Sequence, residues 1–288
     1  MKKEIQLIKI YCAVCQIYDS ITARESQRLS NNFRPKFTDE EAITIYLWGI
    51  ANEKFEVKAA YNFIVEYWSE WFPDLPTYRN LDRRICNLCD IFVQIASYLI
   101  TDSEIDFSVI DYLTDSMPVI VAGDKRSGIA KTAGEICNKG YCGSKDKYYY
   151  GVKLHAFVQK QYQSLPNPYA FWLTPASEAD LPAAEQNLDF ISDINLFADK
   201  AYISKAWAAV LARRNVTLVT PAKLQKGKSD FNPGEKLINS VISSIRQPIE
   251  SFFGWLQQKT HIQSASKIRS ANGLISFIFA RLASIFLF

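Results

Sequence analysis

Apolar periodicity changes character once along this chain, near residue 103, and that change limits what it can fold into. Before it, apolar residues recur at helical spacing. Thr38-Asp-Glu-Glu41 reads as a capping box opening the segment EEAITIYLWGIA. Further helical segments are expected near 4–17, 22–30, 56–70 and 79–100, with Pro73 and Pro76 separating the last two. After residue 103, SVIDYLTDSMPVIVAG alternates and is rich in β-branched residues, as a strand or strand pair would be. Strand signals follow at YYYGVKLHAFVQ, AFWLTPAS, NLFADK and VTLVTP, with helices expected near 180–192 and 203–214. A charged linker, KLQKGKSDFNPGEK, leads into long helical patterns. The expected fold class is α/β: a mixed sheet flanked by helices, residues 103–288, preceded by an all-α N-terminal domain, residues 1–102.

Composition supports a packed protein. Of 288 residues, 48% are apolar and 14% aromatic, which excludes a mainly disordered chain. The net charge of +3 is unevenly spread: residues 221–288 hold nine basic and three acidic groups, whereas the rest is slightly acidic. Such a basic stretch suits a polyanionic partner, or is simply a solvated face. Residues 123–151 hold six of the eleven glycines and are basic, so they read as a flexible loop. The apolar N-terminal stretch is broken by Glu4, Gln6 and Lys9 and is not read as a signal peptide. The run GLISFIFARLASIFLF contains Arg281 and falls short of the roughly 20 residues a bilayer span needs, so a buried closing helix and no membrane are expected. Cys12 with Cys15 and Cys86 with Cys89 form CxxC pairs inside helical patterns, where the spacing places small apolar groups on one buried face. No structural zinc is expected, and a reduced, cytoplasmic setting is the default.

Acids set in or just after apolar strands are the informative feature, because a charge buried there must be paired or metal-bound. Asp115 lies between YLT and SMPVIVA, and Asp199 ends NLFAD. Glu250 lies on QPIESFFGWLQQ, beside an inward stripe of Ile249, Phe252, Phe253 and Leu256. Three such carboxylates could hold Mg²⁺ together with phosphate oxygens, and a pair of ions suits phosphodiester chemistry. Asp111 would share the strand face of Asp115 and is its rival; Asp106 and Asp124 read as surface.

The words DSMPV, YYYGVKLH, LTPASEAD, LFADKAY and RQPIESFFGWLQ, in that order, resemble the DDE transposases of bacterial insertion sequences, most nearly the nine-eighty-two-like group. The resemblance covers nearly the whole chain and includes LPTYRNLDRRI in the helical front end. It implies an RNase H-like catalytic core and a triad of Asp115, Asp199 and Glu250 holding Mg²⁺, for which Mn²⁺ can substitute. It also implies double-stranded DNA partners (terminal inverted repeats and target DNA), a homodimer on DNA, and a bacterial cytosolic or nucleoid setting. The related Tyr-x2-Arg-x3-Glu-x6-Lys signature is met at Arg246 and Glu250, but Ser243 and Gln257 replace its Tyr and Lys, and Lys259 lies two residues on. Pro248 is expected to open or bend its helix so that Glu250 faces the site.

Candidate DNA contacts are Lys153, His155, Lys200, Arg246, Lys259, Lys267 and Arg269. His155 reads either as a hydrogen-bonded strand residue or as a neighbour of the metal site; His261, Phe253 and Trp255 read as surface, core and core. Two other functions fit the same residues: a catalytically inactive, transposase-derived DNA-binding repressor, and a general RNase H-like nuclease.

Overall fold

The structure, a computed structural model, describes residues 2–21, 35–102, 106, 108–224 and 230–287. The helix expected at 22–30 lies outside these residues. The chain divides into two compact units: Met1–Asp102 together with Leu256–Phe288, and Ser103–Trp255. Residues 256–288, grouped by sequence with the sheet-forming half, therefore pack with the N-terminal helices.

The first unit is helical. It contains α1 (Lys2–Ser20), α2 (Asp39–Ala51), α3 (Val57–Tyr67), α4 (Tyr78–Asn87), α5 (Cys89–Thr101) and a closing helix, α9 (Ala271–Leu287). The capping box forms: Thr38 Oγ1 accepts from the Glu41 N–H at 3.2 Å, and Glu41 Oε2 accepts from the Thr38 N–H at 2.6 Å. The single helix expected over 79–100 is two helices, bent by 60° at Leu88. Cys12, Cys15, Cys86 and Cys89 all lie on helices, but Cys12 is exposed rather than turned inward.

Among the described residues no single helix is long and apolar enough to cross a membrane, and α9 is buried over most of its length. Its Arg281 is buried and, among the described residues, pairs with no carboxylate. The guanidinium donates instead to the carbonyls of Thr260, Phe277 and Phe55 and to the Tyr46 hydroxyl, at 2.7–3.0 Å, and lies over the Phe277 ring. A buried cation is tolerated when its donors are used in this way.

The second unit is a mixed sheet covered by helices. Its strands are β1 (Asp111–Gly123), β2 (Asn138–Cys142), β3 (Lys147–Gln159), β4 (Asn167–Pro175), β5 (Asn195–Phe197) and β6 (Thr217–Val219). They run in the order β2-β3-β1-β5-β6, with β4 also on β3. β1 to β4 pair antiparallel, whereas β1, β5 and β6 are parallel. Antiparallel strands followed by parallel ones, with helices on both faces, form an RNase H-like core.

One face packs Tyr112, Phe157 and Trp172 against α6 (Asp180–Asn187) and α7 (Lys205–Ala212), through Ala184, Leu188, Trp207 and Leu211. On α8 (Pro233–Thr260), Phe252 stacks on Phe171 with centroids 6.2 Å apart. Alternation along β4 sends Phe171 and Trp172 to opposite faces, so α8 covers the second face.

Two expectations change here. The basic stretch 123–151 is not all loop, because β2 adds an edge strand to the first half of β3. Pro248 does not open its helix, which is continuous from Pro233. The opening lies upstream, where Asn232 and Glu235 form their own reciprocal cap. Pro248 costs α8 the hydrogen bond its N–H would have made to residue 244.

Candidate active site

β5 pairs with β1 over three residues only, and the ladder ends at Leu113 with Phe197. Asp115 and Asp199 each lie two residues past that last pair. With a strand period of two, both side chains follow Leu113 and Phe197 onto one face. Beyond Leu113 the β5 side of β1 carries no described strand, which also lets Pro118 sit in a long strand without breaking a ladder bond there.

α8 brings the cation for these acids. Arg246 Nη2 donates to Asp115 Oδ2 at 2.9 Å, and its Nη1 lies 3.6 Å from Asp199 Oδ1. The other Asp115 oxygen, Oδ1, accepts from the Ser116 N–H at 2.8 Å. Burial pushes the Asp115 carboxyl up to about 6, against the opposing pull of Arg246 and the Ser116 N–H; the negative charges of Asp199 and Asp180 add to the rise. Asp199 is more open and caps the short turn Lys200–Tyr202, accepting from the Lys200 N–H at 2.7 Å.

The stripe Ile249, Phe252, Phe253 and Leu256 is buried, as its spacing indicates. Glu250 is exposed, one turn from Arg246 at the margin of that stripe. Among the described residues no three His, Cys, Asp or Glu side chains gather closely enough to hold a metal ion, so Glu250 does not join the aspartate pair. Asp111, the rival first acid, is held elsewhere by Asn195 Nδ2 at 2.9 Å.

The candidate DNA contacts separate. Lys200 is exposed beside Asp199. Lys259, Lys267 and Arg269 are exposed in the helical unit, Lys267 lying 3.8 Å from Glu56. His261 stacks on Phe55 in the same unit. Arg246 is buried against the two aspartates.

His155 is fully buried, stacked on Trp172 at 5.3 Å, with Nε2 at 2.8 Å from Thr174 Oγ1. Burial lowers its imidazole to about 4, so the ring is neutral at pH 7. Lys153 is mostly buried and donates to Asp180 Oδ1 at 3.0 Å and to the Glu178 carbonyl at 2.7 Å.

Asp180 is the carboxylate that sequence reading missed. It opens α6, accepts from Ser116 Oγ at 3.0 Å, and raises Asp115 through its charge. The word LTPASEAD held it, but an acid at a helix start looks ordinary in sequence.

Comparison with curated proteins and with solved structures found no match. Comparison with protein families found one, described as the transposase DDE domain, over residues 113–287. That segment contains Asp115, Asp199, Arg246 and Glu250, and family membership implies transposase-type function on DNA with divalent metals. From the strand pattern, the aspartate pair and this match, the chain belongs to the DDE transposases of insertion sequences.

Proposed function

We propose that this protein cleaves DNA at the ends of its insertion sequence and joins the freed ends to target DNA, at a site built on Asp115 and Asp199 with Glu250 as the third carboxylate. The observation that carries the reading is the convergence of Asp115 and Asp199, from two strands, on the single cation Arg246. Both acids offer only oxygen, so the pair suits a hard divalent cation. Such an ion needs only one or two protein carboxylates when phosphate oxygens and water complete its shell. Asp115 and Asp199 would hold it, with Glu250 joining from the exposed margin of α8. Mg²⁺, for which Mn²⁺ can substitute, is the proposed ion; when bound it supplies Lewis-acid polarisation and lowers the pKa of water.

In the proposed reaction, hydrolysis at the element end frees a 3′-hydroxyl. In-line attack by that hydroxyl on a target phosphodiester then joins the strands, breaking the target's own P–O3′ bond and releasing a target 3′-hydroxyl. No covalent protein–DNA bond is needed, so no Tyr or Ser nucleophile is assigned. Ser116 and Arg246 orient the Asp115 carboxylate before substrate arrives, which is the preorganisation such chemistry requires. Lys200 stands next to Asp199 and is the sheet unit's best-placed phosphate contact; Lys259, Lys267 and Arg269 are the exposed candidates of the helical unit. The helical unit, residues 1–102 with 256–288, would bind terminal inverted repeats or pair protomers, so that a homodimer holds two ends; residues 103–255 would form the catalytic unit.

Calorimetric titration with Mn²⁺ in the absence of DNA tests the cation assignment. Wild type binds, and Asp199→Asn binds about tenfold or more weakly. Equal affinity in the two proteins contradicts the reading.

A further inference from the structure

Behind Asp115, on the opposite face of β1 and β3, lies a polar chain that the proposed chemistry does not use. Alternation along β1 puts Ser116 on the face away from Asp115, and register puts His155 opposite Ser116, so Lys153, two residues from His155, shares that face. Lys153 Nζ donates to the Glu178 carbonyl at 2.7 Å and to Asp180 Oδ1 at 3.0 Å. Ser116 Oγ donates to the same Asp180 oxygen at 3.0 Å, while its N–H donates to Asp115 Oδ1 at 2.8 Å. Ser116 is thus tied on one side to the ion pair and on the other to the aspartate carboxylate.

We propose that Lys153 and Asp180 are positioning residues that fix Ser116, and through its N–H the carboxylate of Asp115, and that Lys153 is not a contact for DNA phosphate. The proposal rests on reading Asp115 as a ligand of the catalytic cation. Its physical basis is twofold. The Lys153 and Asp180 side chains are only 16% and 20% exposed, and two of the three ammonium donors are already satisfied within the protein. Turning Lys153 outward to a phosphate would leave Asp180 with its charge unpaired in a mostly buried place, which is unfavourable. A carboxylate that binds a metal also depends on the partners behind it, and losing such partners typically costs about 10–100-fold in metal affinity or activity.

The test combines two readouts on the full chain. The first is the slope of log K against log salt for binding a DNA duplex without divalent cation. Each lysine that neutralises a phosphate contributes about 0.9 to that slope. The second is Mn²⁺ affinity by titration without DNA. Lys153→Met is expected to keep the wild-type slope, whereas Lys200→Met makes it shallower by about 0.9. Lys153→Met and Asp180→Asn are expected to weaken Mn²⁺ by about 10-fold or more, and Lys153→Arg to restore most of the loss.

Ser116→Ala cuts the tie while leaving the ion pair intact, which guards against misfolding of the charge variants. It too is expected to weaken Mn²⁺ with the slope unchanged. A slope shallower by about 0.9 in Lys153→Met overturns the proposal, as does wild-type Mn²⁺ affinity in Ser116→Ala and Asp180→Asn. Undiminished Mn²⁺ binding by Asp115→Asn would instead overturn the underlying assignment of Asp115. Loss in Asp115→Asn without loss in the other variants overturns the positioning role alone.

Discussion

Asp115 on β1 and Asp199 just past the end of β5 each lie two residues beyond the last ladder pair of these two parallel strands, Leu113 with Phe197. The sheet therefore sets their common face, and α8 supplies the guanidinium that they share. Two acids brought together by backbone register repel each other, so the cation between them is part of what allows the site to fold.

Arg246 should accordingly be a stability residue when no divalent cation is present. Replacing it by Ala leaves Asp115 buried without its partner, at a cost of about 3–5 kcal/mol. Arg246→Lys should recover only part, because one ammonium lacks the fork that spans both acids. Urea unfolding with and without Mg²⁺ checks this: Mg²⁺ should narrow the gap between Arg246→Ala and wild type. A gap unchanged by Mg²⁺ would mean that the two cations do not share a place.

Acidification should act through His155. Its folded-state pKa is depressed to about 4 from the usual 6.5 by burial, with Asp180 opposing and Lys153 assisting. The unfolded chain therefore binds the proton first. The stabilising contribution is present above about pH 6.5 and is lost as pH falls toward 4, on the order of 3 kcal/mol in all. Asp115, raised to about 6, acts with the opposite sign, since its contribution is lost as pH rises from 3.8 to 6. The His155 part is isolated by comparing wild type with His155→Gln in denaturant unfolding at pH 7 and pH 4.5. Wild type should lose more stability than the variant; equal losses would assign the acid sensitivity elsewhere.

Gly151 lets β1 and β3 approach. A Cβ there would stand 2.1 Å from the Val119 carbonyl oxygen, which is backbone and cannot turn aside. Gly151→Ala should destabilise the protein by about 3 kcal/mol or more. Gly254→Ala, on an exposed position of α8 with nothing within 4 Å, should stabilise by about 0.5–1 kcal/mol. Thermal unfolding of the two variants reads both signs, and similar behaviour would contradict the close strand approach.

Much of this was legible in sequence, and the omissions have physical causes. The helical front half and the long strands β1 and β3 follow from periodicity; charge beside apolar runs pointed to Asp115 and Asp199, but it was the resemblance carried by DSMPV and LFADKAY that picked them out. The edge strand β2 escaped notice because NKGYC lacks β-branched residues; it exists because β3 extends far enough to pair with it. Gly140 belongs there because a Cβ would strike the Ala176 carbonyl. Lys153 and His155 read as phosphate contacts, since charge and residue type do not reveal which face of a strand is covered. Register with Ser116 and Thr174 turns both beneath the layer that contains α6. Asp180 could not be singled out because its partners are 27 and 64 residues away. No proline marks the helix break at Leu88, and α8 opens upstream of Pro248, at the reciprocal cap of Asn232 and Glu235.

The chemistry proposed for the aspartate pair is metal-dependent DNA cleavage. It is tested most directly by incubating the protein with labelled DNA carrying the ends of its own insertion sequence, with Mg²⁺ and with EDTA, for wild type and Asp199→Ala. Cleavage by wild type in Mg²⁺ alone, with none above background for Asp199→Ala, is the predicted result. Equal cleavage by both proteins, or cleavage that persists in EDTA, would contradict it.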